Sequence, residues 1–112
     1  MTVTVAEELI PSGSGSVVKI ACDAAEESKW IPVAFNTGLL LDVPAGSTAQ
    51  VEQATELPSV IADGSENDKF KVWSAGAITG AQSVDSIVIG ATHVRLRNTV
   101  AAGVTTLIIR RA

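Results

Sequence analysis

The residues able to do chemistry are few. There is one histidine, His93, and one cysteine, Cys22. Nucleophilic catalysis needs a nucleophile, a base and a third group that orients the base. His93 stands in His93-Val94-Arg95-Leu96-Arg97, where alternation puts it on an outward strand face beside two arginines. Neighbouring cations disfavour the imidazolium and supply no triad, so an ordinary surface histidine is expected. Cys22 alternates with Val18 and Ile20, which makes it a small core hydrophobe rather than a nucleophile. A single cysteine also cannot close an internal disulfide.

Binding motifs fare little better. Asp63-Gly64-Ser65-Glu66-Asn67-Asp68 crowds three carboxylates into a short stretch. A calcium loop of EF-hand type needs Gly at its sixth position and Glu at its twelfth. Here Gly stands second and Ser74 twelfth, so the stretch reads as a solvated acidic turn and no metal or other cofactor is expected. Ser12-Gly13-Ser14-Gly15-Ser16 leads into a strand, without the helix N-terminus that binds phosphate. Two features remain. Alternation in Lys69-Phe70-Lys71-Val72-Trp73 sets Trp73 on one face with the lysines, and Trp30 stands between Lys29 and Ile31; an outward indole serves either as a protein-interface anchor or as a platform for a surface glycan, and the alternative is that they cap the core. Arg95, Arg97, Arg110 and Arg111 would form one cationic stripe if the last two strands pair, suited to a carboxylate-rich protein partner.

The elements that carry these residues are strands. Val, Ile and Thr supply 33 of the 112 residues, and aromatics only 4%. β-Branched side chains favour pleated surfaces. Turn signals recur at Pro11–Ser16, Asn36–Gly38, Pro44–Gly46, Asp63–Asp68, Gly76–Gly80, Gly90 and Ala101–Gly103. Between them lie about ten short runs: Thr2–Leu9, Ser16–Cys22, Lys29–Val33, Leu39–Val43, Ser47–Ala54, Leu57–Ile61, Phe70–Ala75, Ser83–Ile89, Thr92–Asn98 and Val104–Arg110. This spacing predicts an all-β, antiparallel, jelly-roll-like sandwich with little or no helix. Pro32 has no amide to donate, so its strand is expected at an edge or bulged. Asp42-Val43-Pro44-Ala45-Gly46 predicts a type I turn joining Leu39–Asp42 to Thr48–Gln53 as neighbours. Leu107-Ile108-Ile109 is nearly continuous in apolar character and is expected to be covered on both faces. Residues 17–112 form one domain in this reading. Residues 1–16, with Val3 and Val5 alternating against threonines ahead of a Gly/Ser hinge, form either a first strand or an arm that docks on a neighbouring subunit.

Charge and run lengths bound the partners. The net charge of -4 and a pI near 4.8 argue against a nucleic-acid binder. Mean hydropathy is positive at +0.34. Yet the uncharged stretches Val72–Val84 and Trp30–Leu41 are interrupted by Gly, Pro and Asn and fall short of the ~20 apolar residues a spanning helix needs. No signal peptide is visible. Synthesis in a host cytoplasm is therefore expected.

Lys29-Trp30-Ile31-Pro32-Val33, Asp42-Val43-Pro44-Ala45-Gly46-Ser47, Ala91-Thr92-His93-Val94-Arg95-Leu96-Arg97-Asn98 and Gly103-Val104-Thr105-Thr106-Leu107-Ile108-Ile109-Arg110 together resemble the capsid decoration, or cement and staple, proteins of tailed bacteriophages. The resemblance covers about the last two-thirds of the chain and consists of strand-and-turn chemistry. It implies a small sandwich on the exterior of an icosahedral head, in contact with the major capsid protein and with copies of itself. It implies no active site, and no site residues carry over one by one. The partner-binding candidates are then Trp30, Trp73, Arg95, Arg97, Val3 and Val5. Two other addresses fit the same residues: a carbohydrate-binding module using exposed Trp, and a tail, neck or head-fibre component.

Overall fold

In the computed structural model, residues 3–11, 13, 15–33, 36–55, 70–72, 76–89 and 91–111 are described, with backbone alone for 36, 70–72 and 86–89. The expected strand at Leu57–Ile61, the acidic turn at Asp63–Asp68 and Trp73 lie outside them. Among the described residues ten strands run in order: β1 (Val3–Leu9), β2 (Ser16–Cys22), β3 (Ile31–Pro32), β4 (Asn36–Val43), β5 (Thr48–Ala54), β6 (Phe70–Val72), β7 (Ile78–Thr79), β8 (Gln82–Ile89), β9 (His93–Val100) and β10 (Thr105–Arg111). One sheet has the order β1-β2-β10-β4-β8; the other has β3-β9-β5-β6, with β7 paired to β5. All pairings are antiparallel. No helix occurs among the described residues, and none is long and apolar enough to cross a membrane, which says nothing of a β-barrel.

The period of two in the sequence builds the core directly. Val18, Ile20 and Cys22 of β2 alternate with exposed Lys19, as expected. Leu39, Leu41 and Val43 of β4 and Leu107 and Ile109 of β10 line up beside them. The second sheet contributes Ile31, Ala49, Val51, Val94 and Leu96 from across the sandwich. The core among the described residues is aliphatic. Stiff β-branched and leucine side chains fill the roughly 10 Å between two packed sheets without large rings.

Several expectations change. Leu39–Asp42 and Thr48–Gln53 do not pair: β4 and β5 lie in different sheets, so the Pro44–Ser47 turn carries the chain across the sandwich. The turn is also set one residue later than expected. Ser47 N–H bonds to Pro44 O at 3.2 Å, and Gly46 takes φ +84°, the positive value that a type II turn requires at its third position. Glycine is needed there twice over, since a Cβ on Gly46 would stand 3.0 Å from Ala102 Cβ in the β9–β10 turn. Ile78–Thr79, inside an expected turn, forms a short strand against β5. On β10, Ile108 is only half-buried, so that strand is covered fully on one face alone. Pro32 does sit at a sheet edge.

Leu41 is fully buried, at 0% exposure, between β10 and β8. Leu41→Ala is expected to lower unfolding free energy by about 2–5 kcal/mol, read as a lower urea midpoint with unchanged slope. A loss below about 1 kcal/mol would place Leu41 outside the core that this register defines.

Candidate functional site

β9 places Val94 and Leu96 on the core face and His93, Arg95 and Arg97 on the opposite, outer face of the second sheet. β5 runs beside it with Val51 inward and Gln50 and Glu52 outward. The register sets Glu52 directly across from Arg95. Arg95 Nε donates to Glu52 Oε1 at 2.7 Å. Arg97 Nη1 lies 3.8 Å from Glu52 Oε2, and Gln50 Nε2 donates to the same oxygen at 2.6 Å. The side chains of Arg95 and Glu52 are 3% and 0% exposed, while Arg97 is 39% exposed. One carboxylate thus serves two guanidiniums and an amide.

Trp30 covers this pair, and a bulge puts it there. Glu27 bridges Arg97, and Ile31 pairs Val94. Four residue steps on one side therefore match three on the other. The extra residue falls at Lys29–Trp30, between Ser28, which bonds to Leu96 O at 2.8 Å, and Ile31 in the core. Bulges re-aim side chains in this way. The Trp30 ring lies over the Arg95 guanidinium, 4.3 Å from Cζ to centroid, a cation–π arrangement. Its Nε1 is buried and has no hydrogen-bond partner among the described residues.

The structure thus treats the six candidate residues differently. Arg95 is not an exposed partner-binding cation, because Glu52 and Trp30 enclose it. Trp30 is half-buried and one face of its indole is occupied by Arg95. Arg97 retains an exposed guanidinium. The expected four-arginine stripe does not form: β9 and β10 belong to different sheets, which separates Arg95 and Arg97 from Arg110 and Arg111. His93 is buried rather than exposed, at 8%, with Nδ1 2.9 Å from Thr92 Oγ1. Cys22 is buried, as expected, and its Sγ contacts Ala24 O at 3.1 Å. Glu52 was not singled out from sequence. Its one signal is the polar Gln50/Glu52 alternation opposite Ala49 and Val51, and only the register reveals its partner.

Val3 and Val5 lie on β1, which pairs with β2 over all seven of its residues. That settles residues 3–9 as a strand of this chain's own sheet. The strand is nonetheless open: from Thr4 to Leu9 every residue is exposed, on both faces. Leu9 reaches 81% and Val5 37%. Ser16 Oγ donates to Glu7 Oε2 at 2.7 Å, and Arg111 reaches both Glu7 and, at 2.7 Å, Pro32 O. The Ser16 hydroxyl first, then the Arg111 guanidinium, hold the Glu7 carboxyl below its ordinary value of 4.5. Beside β1, a groove of about 570 Å³ is lined by apolar Ala6, Leu9, Ile10, Pro11 and Val17 and by charged Glu8, Lys19 and Arg110.

Together these features define a two-sheet, jelly-roll-like β-sandwich with an ion-paired outer face on one sheet and an exposed edge strand, β1, on the other. No protein-family model matches the sequence, and no curated protein matches it. Among solved structures, CapF bound to the inhibitor 3-isopropenyl-tropolone is similar at 12% identity and TM-score 0.50, over 97% of this chain and 28% of CapF. The cobalt(II) form of HppE with its substrate is similar at 13% identity and TM-score 0.45, over 99% of this chain and 52% of that one. A protein of unknown function from Acinetobacter sp. ADP1 aligns at 11% identity and TM-score 0.42, over 99% of this chain and 95% of its own. The chain spans under a third of CapF and about half of HppE. The CapF likeness concerns the fold alone. Among the described residues no three of His, Cys, Asp and Glu gather to hold a metal.

Removing one partner of a buried pair strands the other charge, which costs about 3–5 kcal/mol, whereas replacing both with apolar residues is often neutral. Glu52→Ala is expected to destabilise by that amount, and Glu52→Leu with Arg95→Leu to recover most of it, read by urea unfolding. Equal loss in both variants would contradict a purely structural pair. Burial holds the His93 pKa below its ordinary 6.5. The unfolded chain therefore takes the proton first, and stability declines as pH falls through 6.5 until the lower folded value is reached. Melting temperatures across that window should show the decline in the native chain and a shallower one in His93→Gln.

Proposed function

We propose that this chain is a non-catalytic virion protein that binds the outside of a phage head and clamps neighbouring capsid subunits. The observation that carries this reading is β1, a seven-residue strand exposed on both faces and paired on one side only. An open edge with exposed Val5 and Leu9 is a template for strand addition. The groove beside it, lined by apolar residues together with Glu8, Lys19 and Arg110, offers apolar contact to the same partner. The single histidine, His93, and the single cysteine, Cys22, are both buried in structural contacts, which supports a role other than catalysis. The strand-and-turn resemblance to decoration proteins supplies the address: the capsid exterior, with the major capsid protein and further copies of this chain as partners.

The clamp would act by mass action. A protein that binds only the assembled shell stabilises that shell by the binding free energy of each copy. Particles carrying the protein should therefore withstand higher temperature or more denaturant than particles stripped of it. Equal resistance would overturn the clamp. Imaging of purified particles separates the head address from a tail, neck or head-fibre one.

A further inference from the structure

We propose that β1 is completed by β1 of a second copy of this chain, running antiparallel across a two-fold axis at Ala6. This deepens the assembly reading by naming one partner of the edge on which that reading rests.

The backbone parity comes first. Ile10 N–H bonds to Gly15 O at 2.8 Å, continuing the β1–β2 register. Hydrogen-bonded pairs alternate along an antiparallel ladder. Thr4, Ala6 and Glu8 therefore bond inward to β2, and the amides and carbonyls of Val3, Val5, Glu7 and Leu9 point away from the sheet. A second β1 must match outward groups to outward groups, so the two-fold axis has to pass through a residue rather than between two.

Charge and length then choose the residue. An axis at Glu7 or Glu8 sets glutamate directly against glutamate, which is destabilising. An axis at Val5 or Thr4 shortens the overlap and leaves Leu9 without a facing strand residue. An axis at Ala6 pairs all seven residues: Val3 with the partner's Leu9, Thr4 with the partner's Glu8, Val5 with the partner's Glu7. No carboxylate meets another. Leu9, 81% exposed in the single chain, gains an apolar neighbour. Glu7 is already turned back onto Ser16 and Arg111 of its own chain, so its charge is compensated before the partner arrives. The two five-stranded sheets become one continuous sheet.

A seven-residue edge is small beside the roughly 1,200–2,000 Å² of a stable interface, so a covalent trap is the suitable test. At Ala6 the two copies form a non-hydrogen-bonded pair, about 4.5 Å between Cα atoms, within the roughly 4.4–6.8 Å that a disulfide spans. Under mild oxidation, full-length Ala6→Cys should give a disulfide-linked dimer. Thr4→Cys, whose symmetric copies lie far apart, should give only the background of random collision, as should the native chain with its buried Cys22. Adding Val5→Pro to Ala6→Cys removes two inter-copy hydrogen bonds and none to β2. It should return cross-linking to the Thr4→Cys level while circular dichroism and melting stay near native. Equal cross-linking of Ala6→Cys and Thr4→Cys, no cross-linking of either, or indifference to Val5→Pro would each overturn the proposal. Particle stabilisation without an Ala6→Cys dimer removes the two-fold pair and leaves the clamp standing; a dimer without particle stabilisation does the reverse.

Discussion

The structure depends on where β10 goes. The last strand lies between β2 and β4 and pairs with both. Leu107 and Ile109 are then sealed at 0% exposure in the middle of the first sheet. Without that insertion, β1-β2 and β4-β8 would be two separate hairpin-like pairs with no common face. With it they become one sheet able to cover the second. Such long-range pairing is entropically costly to form and is typically slow in folding. It also means that the ends of the chain are tied to each other: Arg111, at the end of β10, contacts Glu7 in β1 and Pro32 in β3. The sandwich closes, and its first hairpin is fastened, through residues at opposite ends of the sequence.

What could be read from sequence follows from what is local. The period of two found β2 with its inward Val18, Ile20 and Cys22, and it found the inward Val94 and Leu96 of β9, because alternation is a property of one strand. Pro32 marked an edge because the missing amide is also a property of one residue. What could not be read was pairing. The sequence-adjacent β4 and β5 looked like a hairpin, and the neighbouring β9 and β10 looked like one cationic surface. In a jelly-roll-like fold adjacent strands are commonly sent to opposite sheets. Pro44-Ala45-Gly46-Ser47 can close a hairpin or turn the chain across the sandwich; its composition does not distinguish them. The same limit hid Glu52, whose role exists only through its register with Arg95.

The two sheets have solved the problem of their outer faces differently. The second buries an ion pair on its outside. Arg95 and Glu52 lose hydration, and the offsetting contacts are the 2.7 Å charge-assisted bond, Gln50 on the second carboxylate oxygen and the Trp30 ring over the guanidinium. Among the described residues, one indole covers this face, delivered by a one-residue bulge. The question of whether Trp30 completes the core or reaches outward therefore has a third answer: it roofs a polar face that the core does not include. The first sheet has no comparable roof along β1, and its exposed valine and leucine stay in contact with water.

An open edge is ordinarily a liability, and β1 carries the usual deterrent in the adjacent charges Glu7 and Glu8. Their position makes them more than a deterrent. Carboxylates near the end of a seven-residue strand oppose every symmetric register centred in that end, yet leave the strand's midpoint free. A lysine at the midpoint, or one glutamate there, would have opposed the one symmetric register that pairs all seven residues. Glu7 is also fastened to Ser16 and Arg111 of its own chain before any partner meets the edge. The same two residues that discourage indiscriminate aggregation therefore leave one orderly register for symmetric extension at β1.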